Sequence, residues 1–155
     1  MIEDYPLKPE DVQTVGSIFV YSHEMAWFDF GPDHPYKPER ANKTYDLCTR
    51  YGVLKQAWMR TLEPEPIAES LLMLFHEADY IRLLQKASAG EVHLEMLACG
   101  LGSADNPILP GIYEWALRAA GGTDKAMNSI MDSDALVAFN PLGGFHHGMP
   151  DYGEG

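Results

Sequence analysis

Two adjacent imidazoles, His146 and His147, stand among small residues, with Gly143-Gly144-Phe145 before them and Gly148 after. Imidazole titrates near neutral pH and moves protons in either direction, while glycine lets backbone approach a substrate closely. The pair therefore suits proton transfer in a tight loop. The same spacing also suits a surface dipeptide in a flexible tail, and the residues alone leave both readings open.

Other chemistries fail on spacing. His76-Glu77-Ala78-Asp79-Tyr80 begins like the zinc-binding helix HExxH, but Tyr80 stands in place of the second His. Gly100-Leu101-Gly102-Ser103-Ala104-Asp105 begins like a dinucleotide loop, but Asp105 fills the position of the last Gly and no strand clearly precedes it. No GxSxG, no P-loop and no Asp-x-His pair occurs. His23, His34, His76 and His93 are scattered and read as structural or exposed side chains rather than metal ligands.

Three apolar runs read as strands that could position the His pair. They are 17–21 (SIFVY), 70–75 (SLLMLF) and 135–139 (ALVAF). Each is almost continuously apolar, the pattern of parallel strands covered on both faces, although Leu and Met leave the middle run equally compatible with a helix. Helical periodicity covers 39–51 after Pro38, with Ala41, Thr44, Tyr45, Cys48 and Tyr51 on one face and Gly52 at the end. A second helix over 79–86 turns Tyr80, Ile81, Leu83 and Leu84 inward, with Gly90 beyond its end. A third over 112–131 places Ile112, Trp115, Ala119, Ala126 and Ile130 on one side. Gly121-Gly122 inside it costs about 1 kcal/mol per Gly relative to Ala, so a close approach or a break is expected there. The alternation predicts an α/β fold with a parallel sheet. Ligands of such sheets sit beyond the carboxyl ends of the strands, where the tail 140–155, with five glycines, two prolines and the His pair, would begin. The run 29–40, with Pro32, Pro35 and Pro38, reads as a rigid extended connection.

Composition narrows the partners. A length of 155 residues suits one domain, and eleven basic against 23 acidic side chains give a net charge of -12. That balance argues against nucleic acid, whose binders need clustered Lys and Arg. It favours solubility, or cationic partners such as lysine-rich segments. Cys48 and Cys99 form no CxxC and suit a reducing compartment. No signal-like segment or membrane-length apolar run is visible, so a cytoplasmic location without membrane attachment is expected.

Four collinear stretches together resemble the bacterial deacetylases of the acetoin-utilisation type, which are related to histone deacetylases. They are Tyr21 to Arg40, including DFGPDHPYKPER; His76-Glu77-Ala78-Asp79-Tyr80-Ile81; Ala119-Ala120-Gly121-Gly122-Thr123; and Asn140 to His147. The resemblance runs from about residue 16 to 155. It implies an arginase/deacetylase-like fold, of which this chain would supply an incomplete N-terminal portion: about three parallel strands and their helices. It implies hydrolysis of acetyl-lysine in a protein, or of a small acetylated amine. In the intact enzyme zinc polarises the carbonyl and activates water, and the His pair moves protons. By resemblance, His146 and His147 are the catalytic pair and Asp105 is a rim aspartate that binds substrate backbone. Gly144 and Phe145 are also substrate-binding, Gly155 lines the acyl-lysine tunnel, and Arg40 belongs to an internal channel. Pro141-Leu142 replaces a Trp-containing pair of the eukaryotic enzymes, which alters the channel wall and leaves acyl preference open. The zinc ligands, the opposing tyrosine and the carboxylates that orient the histidines would all follow Gly155. The chain alone is therefore expected to be inactive and to bind no metal tightly. Its uncovered sheet edge is expected to drive self-association or capture of a complementary chain. Two other readings remain: a non-catalytic paralogue that binds acyl-lysine or a partner, and one half of a split enzyme.

Overall fold

The computed structural model describes residues 16–144 and 146–154. β1 (Gly16–Val20) is the central strand of a parallel sheet of order β2-β1-β3, with β2 at Met59–Leu62 and β3 at Ala135–Phe139. Ser17 pairs with Met59 on one side and Val137 on the other. Ile18, Phe19 and Val20 are buried, as the centre of a sheet covered on both faces requires.

The expected α/β class holds, but one strand was misplaced. Residues 70–75 do not form a strand; they contribute to the short helix α3 (Glu69–Leu72) and the turn after it. Leu71, Met73, Leu74 and Phe75 are all exposed, so their unbroken apolarity marks uncovered surface rather than a buried strand. The second strand is instead Met-Arg-Thr-Leu, in which the two middle residues are exposed and the two end residues half-buried. A four-residue edge strand with polar residues at its centre carries too little apolar signal to stand out.

The helices lie close to expectation. α1 (His23–Ala26) is capped by the Ser22 hydroxyl, which accepts from Met25 N–H at 3.4 Å. α2 (Glu39–Arg50) follows Pro38 and ends before Gly52, whose φ of 72° puts it in the left-handed region that favours glycine. Tyr51 is exposed rather than inward. After α3 come α4 (Ala78–Ser88), α5 (Leu94–Ala98) and α6 (Ile112–Met131). On α6, Ile112, Trp115, Ala119 and Ala126 are buried as expected, whereas Ile130 is exposed. Gly121-Gly122 does not break the helix. A Cβ on Gly121 would run into the backbone carbonyl of Glu65, and one on Gly122 would crowd the Asn140 amide, Val20 and Pro64. The glycines thus let the chain leaving β2 cross α6 at backbone distance, and Ile67 N–H donates to the Leu117 carbonyl at 3.0 Å along that crossing.

The 29–40 segment is a packed connection. Phe30 lies 5.3 Å from Trp115 and 5.2 Å from Tyr36, centroid to centroid and edge to face, and the Trp115 indole donates to the Met25 carbonyl at 3.1 Å. Among the described residues no helix is long and apolar enough to cross a membrane.

Candidate active site

The carboxyl end of β3 hands over directly to the histidine loop. Asn140 fixes that handover: its Nδ2 donates to the Ala119 carbonyl at 3.2 Å and to Thr123 Oγ1 at 3.1 Å, both on α6. Its Oδ1 accepts from Leu142 N–H at 3.2 Å, closing a tight turn, and Leu142 is fully buried beneath it. The loop is therefore stapled to α6 through one amide side chain.

His146 is half-buried, and its Nε2 lies 2.6 Å from the backbone carbonyl of Asp105. Burial pushes the imidazole below its ordinary value of 6.5. The bond to the Asp105 carbonyl pulls the other way, and nearby His34 and His147 add to the depression by disfavouring a second positive charge. An imidazole kept neutral near pH 7 can accept a proton. His146 and Gly144 border a cavity of about 250 Å³ between α3, α4 and α6, walled mainly by apolar side chains such as Ile81, Leu84, Ile112 and Trp115.

His147 is placed differently. It lies exposed on β4 (His147–Gly148), which pairs antiparallel with β5 (Gly153–Glu154), opposite Glu154. It does not border that cavity. The Asp105 side chain is exposed in the turn before Asn106, while its carbonyl meets His146. Arg40 is exposed on the first turn of α2, its carbonyl accepting from the Thr44 hydroxyl at 2.8 Å, and it does not border the cavity either. Phe145 and Gly155 lie outside the described residues.

Three further residues hold this region together. His34, read from the sequence as structural or exposed, is buried at 6% exposure with its Nε2 2.9 Å from the same Asp105 carbonyl. The signal for it was its place between prolines in a stiff loop just after a strand. Asn106 is buried and donates to the Gly153 carbonyl at 3.0 Å. His76 Nδ1 stands 2.9 Å from the Met149 carbonyl, so the HEADY segment, although no zinc helix, anchors the tail.

Residues 34–155 match the model of the histone deacetylase domain. The chain belongs to the histone deacetylase family. It is 35% identical to the acetoin utilization protein AcuC of Bacillus subtilis over 134 residues, covering 86% of this chain and 34% of that protein. It is 30% identical to type-1 histone deacetylase 1 of Dictyostelium discoideum, over 83% of this chain and 26% of the relative. Histone deacetylase 2 of Oryza sativa subsp. japonica is also 30% identical, over 88% of this chain and 27% of its own length. The chain thus spans about a quarter to a third of these curated relatives.

Histone deacetylases generally work with zinc, which takes three protein ligands in a catalytic site. Among the described residues no group of three or more His, Cys, Asp or Glu side chains could hold a metal ion. The described part of this family member does not by itself fit a zinc centre. What it offers is an imidazole at the mouth of an apolar cavity, bonded to a fixed carbonyl.

Proposed function

We propose that the chain is the N-terminal portion of a single zinc-dependent deacetylase domain that hydrolyses acetyl-lysine or a small acetylated amine. We infer further that residues 1–155 alone are catalytically silent; in support, among the described residues no group of three or more His, Cys, Asp or Glu side chains could hold a metal ion. The observation that carries the reading is the His146 loop, seated on an apolar cavity beyond the end of β3 in a chain whose residues 34–155 match the deacetylase domain. In this reading His146 and His147 handle protons during amide cleavage, with His146 held neutral by burial. Asp105 sits at the rim, and Gly144, Phe145 and Gly155 line the substrate's path. The role of Arg40 in an internal channel rests on the resemblance alone. Two free thiols are consistent with the bacterial cytoplasm.

The same reading supplies a partner. β3 presents Leu136, Val137 and Phe139 to solvent along the outer edge of the sheet. A complementary chain or a second copy would cover that edge.

The test is hydrolysis of a fluorogenic acetyl-lysine peptide with added zinc and a chelator control. It is run on the chain alone and on the chain fused to the part of the Bacillus relative that the match leaves uncovered. The expected result is no turnover from the chain and chelator-sensitive turnover from the fusion, lost in His146→Ala. Turnover by the chain alone overturns its silence. A folded, zinc-loaded fusion that hydrolyses nothing overturns the deacetylase reading.

A further inference from the structure

We propose that the groove between α5 and the tail segment 152–154 is a subsite for the cationic side chain of a lysine or arginine in the substrate segment. The deacetylase reading is what makes that segment a substrate. The preference of the groove for a cation follows from its walls alone.

The groove encloses about 410 Å³. Leu97 and Ala98 of α5 line one side, Tyr152 and Glu154 the other, with the chain from Gly100 to Ser103 between them. Backbone contacts hold the two sides together. A Cβ on Gly100 would run into the Gly153 carbonyl, and Gly153 N–H donates to the Cys99 carbonyl at 3.2 Å. The turn that carries Asp105 adds a second tie. Gly102 N–H donates to the Asn106 carbonyl at 2.8 Å, and the Asn106 amide donates to the Gly153 carbonyl at 3.0 Å. The groove is therefore a fixed feature of the backbone.

Its lining matches one class of side chain. Leu97 and Tyr152 supply apolar surface and are 66% and 37% exposed. Glu154 is exposed and supplies a carboxylate, and among the described residues that line the groove none is Lys, Arg or His. More charge of the same sign stands close. Burial pushes the Cys99 thiol above its ordinary value, and the carboxylates of Asp151 and Glu95 add to the rise. Cys99 lies between the lining residues Ala98 and Gly100, so that response reflects a negative potential at the groove itself. The net charge of -12 extends the same field outward. A cation on a methylene stem suits both parts of the lining: the stem covers Leu97 and the Tyr152 ring, and the head pairs with Glu154. An anionic side chain is repelled, and an apolar one gains the stem contact only. Exposed ion pairs and cation–π contacts are individually weak, so the subsite contributes selectivity to a substrate held elsewhere.

The test titrates N-acetyl-arginine amide, at millimolar concentration and low salt, into the ¹⁵N-labelled 155-residue chain. N-acetyl-norleucine amide, which has a stem and no charge, is the control. We expect saturable shifts of the Gly100, Gly102 and Tyr152 amide resonances with the arginine probe only, and weaker binding as salt is raised. Glu154→Gln and Tyr152→Ala should each weaken that binding by about two- to fivefold, with the Trp115 indole resonance unmoved as the check on the core. No shift, equal shifts with the norleucine probe, or undiminished binding in Glu154→Gln overturns the proposal. A second arm uses the zinc-loaded fusion and peptides with Arg or Glu beside the acetyl-lysine. Their kcat/KM ratio should favour Arg by about two- to fivefold and fall towards one in Glu154→Gln. A ratio of one in the parent fusion, or a ratio that Glu154→Gln leaves unchanged, overturns the subsite. A fusion that turns over neither peptide counts against the deacetylase reading, and the titration then decides the groove by itself.

Discussion

The two outer strands of the sheet are finished in opposite ways. On the β2 side, exposed Arg60 and Thr61 occupy the middle of the strand, and the Arg60 guanidinium reaches across β1 to donate to the Asp134 carbonyl at 2.9 Å. That is a blunted edge with a charge set into it, the usual defence against unwanted pairing. On the β3 side, Leu136, Val137 and Phe139 are 48%, 59% and 51% exposed, and Met127, Ile130 and Met131 of α6 are exposed beside them in sequence. The contrast continues in the layers behind. The 28–40 segment and α6 interlock through Phe28, Phe30, Tyr36 and Trp115, whereas on β3 Ala135 is buried but Leu136, Val137 and Phe139 stay about half exposed. One flank of the described fold is packed, whereas the other leaves large apolar side chains exposed.

Breaking the closed flank should have the largest effect. Trp115→Ala removes a ring that touches Phe28, Phe30 and Tyr36, together with the indole bond to Met25. We expect a loss of about 3–5 kcal/mol, enough to unfold a marginal chain, read from urea denaturation. Gly121→Ala probes the seam between β2 and α6. Helix propensity alone would favour Ala by about 1 kcal/mol, but the new methyl collides with the Glu65 backbone, which has no side-chain freedom with which to yield. A net destabilisation of about 1–3 kcal/mol is expected, and a stabilised variant would show that the crossing is looser than described.

The open flank should respond in the reverse sense. Val137→Lys places a charge on an exposed edge position, so folding stability should move by less than about 0.5 kcal/mol. Self-association, followed by light scattering against concentration, should fall sharply, because a lysine on an edge strand opposes pairing. Arg60→Val on β2 makes the opposite change and should increase association. Unchanged scattering in both variants would remove the asymmetry as an explanation of how this chain meets partners.

The same asymmetry decides what could be read from sequence. β1 and β3 were legible because both carry apolar runs, although β1 is buried only over Ile18, Phe19 and Val20, and β3 is buried only at Ala135. The 70–75 run misled for the same reason, its apolar residues being exposed here. β2 was missed because an edge strand stabilised by Arg60 and by pairing with β1 needs little apolar character. Helix limits were legible from Pro38, Gly52 and Gly90, since proline and left-handed glycine act locally. The His146 loop was legible from its glycines. The role of His34 was not, because it depends on a carbonyl 71 residues away that no local pattern announces.

The histidine loop follows β3 and meets Asp105 through His146, and the titration of that ring should report on its packing. Burial lowers the folded-state value of His146, so the folded chain binds fewer protons than the unfolded chain just below the ordinary value of 6.5. The associated stability is therefore present in full above that value. It is lost as pH falls through the depressed folded value, and the dependence levels off below it. His146→Gln should flatten this part of the stability profile, measured by urea denaturation across about pH 5–8. The effect is smaller than those above, because the ring is only half-buried and solvent screens it. A profile whose slope survives the substitution would mean that His146 is not held neutral by the surface formed between the loop, Asp105 and His34.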